Sequence, residues 1–397
     1  MMSSVWKTIM DDSATRPRIV IIGAGATGRG QIGQLAHDSG WAITFIERRK
    51  DLAELLQSAK RYRVRLAGEN VREIEVDSFD VLHVDETEAC AEAIAEADII
   101  TTAVLPTNLE STVPVLAAGL ALRQKRRVAK PLNVIACENM ERSSSTLRSY
   151  LQRGAPDLNW DFINEHVGFP DAMVARAVPV PKDDPLVLLA EANQEWSVDA
   201  TAVKEPMPRI EGMTLSNNQK AALERKLYIK NTGHFAIGVL GCLKGYSLMD
   251  EAARDPDIFD RVDAATRESA ATVVAKHVFS PEETEKYRRT FLEQMTSPFL
   301  PDEVTRVIRE PIRKLAREER LVGPAMLACD QGQVPRALAS IIAATFRTVN
   351  PDEPQSLELR SRLASDGLES TLEQVCNIPQ GHLLAHLISE AYRTQVV

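Results

Sequence analysis

The chain is poor in cysteine, in net positive charge and in long apolar runs, and each shortage removes a class of protein. Its five cysteines, Cys90, Cys137, Cys242, Cys329 and Cys376, lie far apart and never in a Cys-x-x-Cys spacing. That excludes a disulfide framework and a zinc ribbon and fits a reducing cytoplasm. No stretch approaches the roughly 18 uninterrupted apolar residues of a membrane-spanning helix. Residues Met1 to Pro17 carry Asp11 and Asp12 behind short apolar pairs. They are too short and too acidic for a signal peptide and are read as an N-terminal extension. The formal net charge of −9 sets the surface against nucleic acid and acidic membranes. His-Glu-x-x-His and Gly-x-Ser-x-Gly are both missing, so neither zincin nor serine-hydrolase chemistry is supported. His382 and His386 have the i, i+4 spacing that can hold a cation from one helix face, but no third ligand stands nearby and no metal is expected.

What is present is an ordinary globular composition, 397 residues with 44% apolar and 26% charged, enough for two or three domains with substantial cores. The apolar run Arg18 to Ile22 leads directly into Gly23-Ala24-Gly25-Ala26-Thr27-Gly28. A helix is expected from Gln31 to His37, and a second strand from Trp41 to Ile46 ends in Glu47. Strand, glycine loop, helix, strand and terminal acid in this order are the signature of a dinucleotide site. Gly23 suits the tight turn, Gly25 the close approach of pyrophosphate and Gly28 the packing of helix on strand, with Ala26 and Thr27 in the same loop at the helix N-terminus. Glu47 is placed to hydrogen-bond the adenosine ribose, which favours NAD over NADP, although Arg48 and Arg49 behind it can offer a phosphate partner.

Farther on, Arg61 to Val76 alternates as a polar-faced hairpin broken by Ala67-Gly68-Glu69-Asn70. Strands are expected at 79–84, 98–103 and 132–136, with helices ending near Ala97 and spanning Asn108 to Gln124. This alternation predicts a mostly parallel, doubly wound sheet. Its strand carboxyl ends single out Thr102, Ala103 and Val104, through Pro106, and Cys137-Glu138-Asn139. Arg123, Lys125, Arg126, Arg127 and Lys130 precede the last strand without aromatic interleaving and are read as a solvated loop. Trp160 to Trp196 is broken by Pro170, Pro179, Pro181 and Pro185 into short β-like pieces, an extension of the sheet. From about Ser197, and throughout after Ser216, helical spacing dominates with proline breaks. The expected organisation is therefore an extension (1–17), an α/β Rossmann-type domain with a β extension (18–196) and an all-α domain (197–397).

Within that second half, Glu224 to His234 carries Lys226, Asn231 and His234, spaced five and three apart. On an α-helix of about 100° per residue, Lys226 and His234 fall roughly 80° apart, with Asn231 within about 140° of both. An amine, an amide and an imidazole on one face form a surface able to transfer protons, and Gly233 removes a side chain where a ligand can come close. A solvated amphipathic helix has the same pattern. Arg306, Arg309, Arg313, Lys314 and Arg320 recur in a helical stretch, in which Arg306, Arg309 and Arg313 share a face by spacing and can meet an anion, as many surface helices can.

These pieces together resemble the mannitol dehydrogenase family of polyol-specific long-chain dehydrogenases/reductases. The likeness is carried by the glycine loop with Ile32-Gly33, by Thr101 to Val104, by Pro131 to Met140, by Glu165 to Phe169, by Glu224 to Leu227 and by Asn231 to His234. The family's Lys-x4-Asn-x2-His motif falls on Lys226, Asn231 and His234. The resemblance implies metal-free, NAD-dependent oxidation of a secondary carbinol of a sugar alcohol, or the reverse ketose reduction, with mannitol 1-phosphate and fructose 6-phosphate the first pair to consider. It implies Lys226 as general acid/base, an amine that needs burial or nearby positive charge to work near neutral pH. Asn231 and Asn139 would polarise the reacting oxygen, His234 would fix a neighbouring hydroxyl, and Arg309 would meet the substrate. The chain departs from the family pattern with Ala26-Thr27 in the glycine loop, Leu105 where glycine is usual, Ala175 in place of an acid, and Lys230 in place of an apolar residue. An unphosphorylated hexitol or hexonate, a 6-phosphogluconate-dehydrogenase-like oxidation and a non-catalytic NAD-binding protein are the alternatives. A monomer or small homo-oligomer acting on a small molecule in the cytoplasm is expected.

Overall fold

Strand β1 (Arg18–Ile22) explains the sheet it nucleates, because its alternate side chains enter two different cores. Ile19 and Ile21 join Ile43, Phe45, Ile99 and Ile135 on one face, while Val20 and Ile22 join Ile46, Ile100, Val134 and Ala136 on the other. A strand covered on both faces has to be apolar throughout, which is the texture of a parallel sheet. In this computed structural model, which describes residues 16–67, 72–179, 183–297 and 302–394, the sheet contains β1, β2 (Ala42–Glu47), β5 (Phe79–His83), β6 (Ile99–Thr102), β7 (Leu132–Ala136) and β8 (Val167–Gly168). Its order is β5-β2-β1-β6-β7-β8, and every neighbouring pair is parallel. This is the Rossmann arrangement, with the chain reversing direction across the sheet between β1 and β6.

The expected hairpin is β3 (Arg61–Ala67) against β4 (Arg72–Asp77), antiparallel; its turn, like the N-terminal extension up to residue 15, lies outside the described residues. Two further strands, β9 (Ala172–Ala175) and β10 (Val187–Glu191), are the first half of the β extension. β10 adds to the hairpin in parallel, and β9 pairs with β11 (Glu195–Asp199), which pairs with β12 (Met213–Ser216). The chain divides into two compact units, Met1–Gln219 and Lys220–Val397. The divide falls later than the expected change of texture at Trp196 because β12 closes its sheet on β11.

Two local expectations change. The stretch starting at Trp160 opens with a helix, Trp160–His166, whose start is set by Asn159 accepting from the backbone N–H groups of Asp161 and Phe162. The basic run is not all solvated loop: Arg123 is fully buried and donates to the carbonyls of Ala95, Ala97 and Lys130, and Arg126 grips Glu92 with two bonds of 2.6 Å.

The second unit is helical. Helix Thr232–Lys244 supplies Phe235, Ala236, Ile237, Val239 and Leu240 to its core, and helices Pro256–Lys276 and Arg336–Arg347 pack there too. Apolar on nearly every side, this helix is the central one of its unit. Pro256, Pro281 and Pro311 stand at helix starts, where a missing N–H costs nothing.

Candidate active site

In the first unit the glycine loop has the geometry of a phosphate cradle. Gly23 has φ +103°, and a Cβ there would lie 2.6 Å from the Ala103 carbonyl oxygen. At Gly28 a Cβ would meet the Gly23 oxygen at 2.0 Å. Only glycine satisfies both positions. Gly25 has open space, with Arg49 no nearer than 4.0 Å, which leaves backbone accessible to a ligand. The turn after it, Gly28–Gly33, is a π-helix that passes into the α-helix Gln34–Asp38, a wider start than the α-helix expected over 31–37. Ala26 is half-buried and Thr27 stands at the helix entry.

Glu47 ends β2 buried, with Oε2 accepting from the Ala24 N–H at 2.9 Å and Oε1 from the Arg49 N–H at 2.9 Å. Burial opposes its ionisation, but these bonds and the Arg49 guanidinium outweigh it and hold the carboxyl below its ordinary range. Arg49 is thus a partner of Glu47. Thr102 at the end of β6 donates to Glu138 at 2.8 Å, and the Val104 N–H donates to the same carboxyl at 3.0 Å. Asn139 is exposed beside them.

Leu105, next in line, is 67% exposed at φ 86°, ψ 146°, a region essentially reserved for glycine. Leu105→Gly should therefore raise stability by about 1 kcal/mol, strain relief exceeding the added chain entropy. Urea or thermal unfolding reads it; a lowered midpoint would mean that the leucine side chain contributes more than its backbone costs.

In the second unit, one continuous helical run carries the predicted trio, but not as an α-helix. Residues Gln219–Arg225 are α-helical, Lys226–Asn231 form a π turn, and Thr232–Lys244 return to α. A π turn bonds residue i to i+5, so it brings Lys226 and Asn231 one above the other, where a regular α-helix would set them well apart. His234 follows three residues later on the same face. All three are half-buried, between buried Tyr228, Ile229, Thr232 and Gly233. The widened turn is held by Thr232, whose hydroxyl donates to the Arg320 carbonyl. Such insertions are frequent at functional sites.

The same i, i+5 relation puts Arg225 and Lys230 over a single ring, Tyr287, at 4.4 and 4.7 Å. Lys230 is therefore packed on the helix Pro281–Met295. Gly233 also changes meaning: a Cβ there would lie 2.3 Å from Phe291, so the glycine admits a neighbouring helix and not a ligand.

His234 has a partner that sequence reasoning missed. Its Nε2 lies 3.2 Å from Asp302 Oδ2, and Arg306 grips the same carboxylate through two nitrogens. Burial works against ionisation of Asp302, but the bonds from His234 and Arg306 prevail and hold it well below the usual carboxylate range. The only sequence signal was Asp302 four residues before Arg306, a spacing common on any helix.

A protein-family model for the mannitol dehydrogenase Rossmann domain matches residues 17–212, and one for the mannitol dehydrogenase C-terminal domain matches 220–395. The chain belongs to the mannitol dehydrogenase family. It is 37% identical over 375 residues to a mannitol-1-phosphate 5-dehydrogenase of Brevibacillus brevis, covering 94% of this chain and 97% of that protein. In fold it matches the Pseudomonas fluorescens mannitol 2-dehydrogenase, solved as a ternary complex with NAD and D-mannitol, with TM-score 0.73 at 18% identity over 96% and 92% of the two chains. A substrate-free D-sorbitol dehydrogenase matches with TM-score 0.82 at 18% identity over 95% and 93%. The chain is accordingly an NAD-dependent polyol dehydrogenase, and the glycine cradle and Glu47 suit that cofactor.

For this member of the family, the arginine stretch is not one helix. Val304–Val307 and Pro311–Lys314 are separate short turns, broken at Glu310 with φ 57°. Arg306 serves Asp302, Arg313 pairs with Glu310 and Glu319, and Arg309 is exposed without an ion pair to a described residue. The two histidines flank one helix start, the His386 N–H donating to the His382 carbonyl at 3.2 Å. His382 precedes the helix Leu383–Thr394 and accepts from the Leu384 N–H at 3.1 Å, while His386 is exposed on it.

Lys314, in the same basic stretch, faces inward and not toward an anion. Buried, with Nζ donating to the Val307 carbonyl at 2.7 Å, it is drawn down to about 7 by burial first and then by Arg320 and Arg313. The unfolded chain keeps that proton up to the ordinary lysine value of 10.5, so between these limits the unfolded state binds more protons and stability rises with pH. Lys314→Met should flatten that rise in unfolding midpoints measured from about pH 7 to 9. Equal slopes in both proteins would overturn this assignment.

Proposed function

We propose that the chain interconverts a phosphorylated hexitol and its ketose, mannitol 1-phosphate and fructose 6-phosphate first among them, in the cytoplasm and without a metal. The observation that carries the mechanism is the π turn that aligns Lys226 with Asn231 one turn before His234. In this reading the Lys226 amine takes the proton of the carbinol hydroxyl during oxidation and returns it during reduction. Bound NAD would supply the hydride acceptor for the carbinol carbon. Asn231 donates to the reacting oxygen as it gains negative character, and Asn139 is assigned the same task. His234, held by Asp302, binds a neighbouring hydroxyl. The kinship to a mannitol-1-phosphate 5-dehydrogenase supports a phosphorylated substrate, and the exposed Arg309 is the side chain assigned to it.

The test is NADH oxidation by the purified protein against fructose 6-phosphate, fructose and other ketoses with and without phosphate. Turnover confined to phosphorylated ketoses is expected; turnover on the free sugars alone would move the substrate to an unphosphorylated hexitol. Activity should persist after exhaustive chelation, and its loss would remove the metal-free mechanism.

A further inference from the structure

The strand order gives the carboxyl edge of the Rossmann sheet a direction. Pyrophosphate belongs to the glycine turn after β1 and the adenosine ribose to Glu47 after β2. In the order β5-β2-β1-β6-β7-β8, the other half of the dinucleotide must run the opposite way, over the ends of β6 and β7. Glu138 stands there, 5% exposed. Its two oxygens take the Thr102 hydroxyl at 2.8 Å and the Val104 N–H at 3.0 Å, so it ties the two strand ends together.

Among the described residues Glu138 has no counter-charge, unlike most of the carboxylates that serve the two units. Glu47 has Arg49, Asp98 has Lys130, Glu224 has Lys276 and Asp302 has Arg306. The described groups acting on Glu138 are a hydroxyl and backbone amides, with no cation among them. Burying a carboxylate without a cation is costly, and the only charge that the known cofactor brings to this edge is the positive ring of its oxidised form. The reduced ring is neutral.

We propose that Glu138 is the counter-charge for the oxidised nicotinamide, a residue that sets the preference of the protein for NAD+ over NADH. Its carboxylate attracts the oxidised ring and is indifferent to the reduced one, so the ratio of the two affinities reports on it directly.

Dissociation constants of the full-length protein for NAD+ and for NADH, measured by calorimetry without any sugar, test this independently of the polyol assignment. Glu138→Gln keeps the shape and the acceptor for Val104 and should weaken NAD+ about tenfold while leaving NADH within about twofold. Glu138→Asp keeps the charge and should preserve the preference. Equal changes in both constants, or none, would make Glu138 a strut between strands and overturn the proposal. Should the glutamine variant not fold, the wild-type protein gives a second reading. Of the described groups that interact with Glu138, the Thr102 hydroxyl and the Val104 amide do not titrate in the working range, and burial pushes the Cys137 thiol well up and keeps it neutral. Burial raises Glu138 itself, so acidification from about pH 8 to 5 should weaken NAD+ relative to NADH. A constant ratio across that range would also overturn the proposal.

Discussion

Lys226→Ala should lower turnover by about three orders of magnitude while leaving the dissociation constant for NADH unchanged. Both halves of that result matter. The dinucleotide cradle is built from β1, β2, β6 and their loops in the first unit, whereas Lys226 lies in the second, so cofactor binding does not depend on the amine. The loss is large because an amine placed at the carbinol supplies the proton transfer that water would otherwise have to make. Only a neutral amine accepts a proton, so in the wild-type protein oxidation should rise with pH and ketose reduction should fall, and both limbs should vanish in the variant. Retention of more than about a tenth of the activity would remove Lys226 from the mechanism. Lys230→Met is the matched control. Its ammonium lies over Tyr287, so the cost should appear in stability, about 0.5–1 kcal/mol, and not in proton transfer.

The second large effect is expected at Asp302. Without its carboxylate His234 loses its only hydrogen bond to a described side chain, and Arg306 loses its anchor. A misdirected imidazole near a reacting substrate costs about a hundredfold, so Asp302→Ala should lower kcat/KM by roughly 10- to 100-fold, mostly through KM. Asp302→Asn, which still offers an oxygen to His234, should lose less, and this rescue separates positioning from mere packing. The same carboxylate predicts behaviour in acid. Its folded-state ionisation lies below the ordinary carboxylate range, so its stabilising contribution is complete above that range and is lost only as pH falls through the depressed value. Asp302→Ala should therefore unfold at a higher pH on acidification than the wild-type protein. Identical kinetics and identical acid midpoints would show the pair to be idle.

The two halves of the site were legible to different degrees, for reasons visible in individual residues. The glycine loop could be read because its constraints are local: Gly23 and Gly28 each lack a Cβ where a neighbouring carbonyl stands, and strand, loop and helix lie within one short segment. The Lys226, Asn231 and His234 trio could be found, but its geometry could not be derived, since the π turn depends on Arg320, far along the chain, accepting from Thr232. Gly233 was misread, and Lys230 could not be placed, for a related reason. Their surroundings, Phe291 and Tyr287, arrive from a helix that no local pattern connects to them.

By itself the sequence determined the class of sheet, the cofactor and the helical nature of the second half, and it singled out the trio proposed to carry the proton. These follow from hydrophobic periodicity and from residues whose chemistry acts over a few positions. Only the tertiary structure decided which charges are partnered: Asp302 with His234 and Arg306, Lys314 with the Val307 carbonyl, and Glu138 with no cation among the described residues. Ion pairing depends on a few ångströms of separation between residues tens of positions apart, a distance that only the folded packing sets.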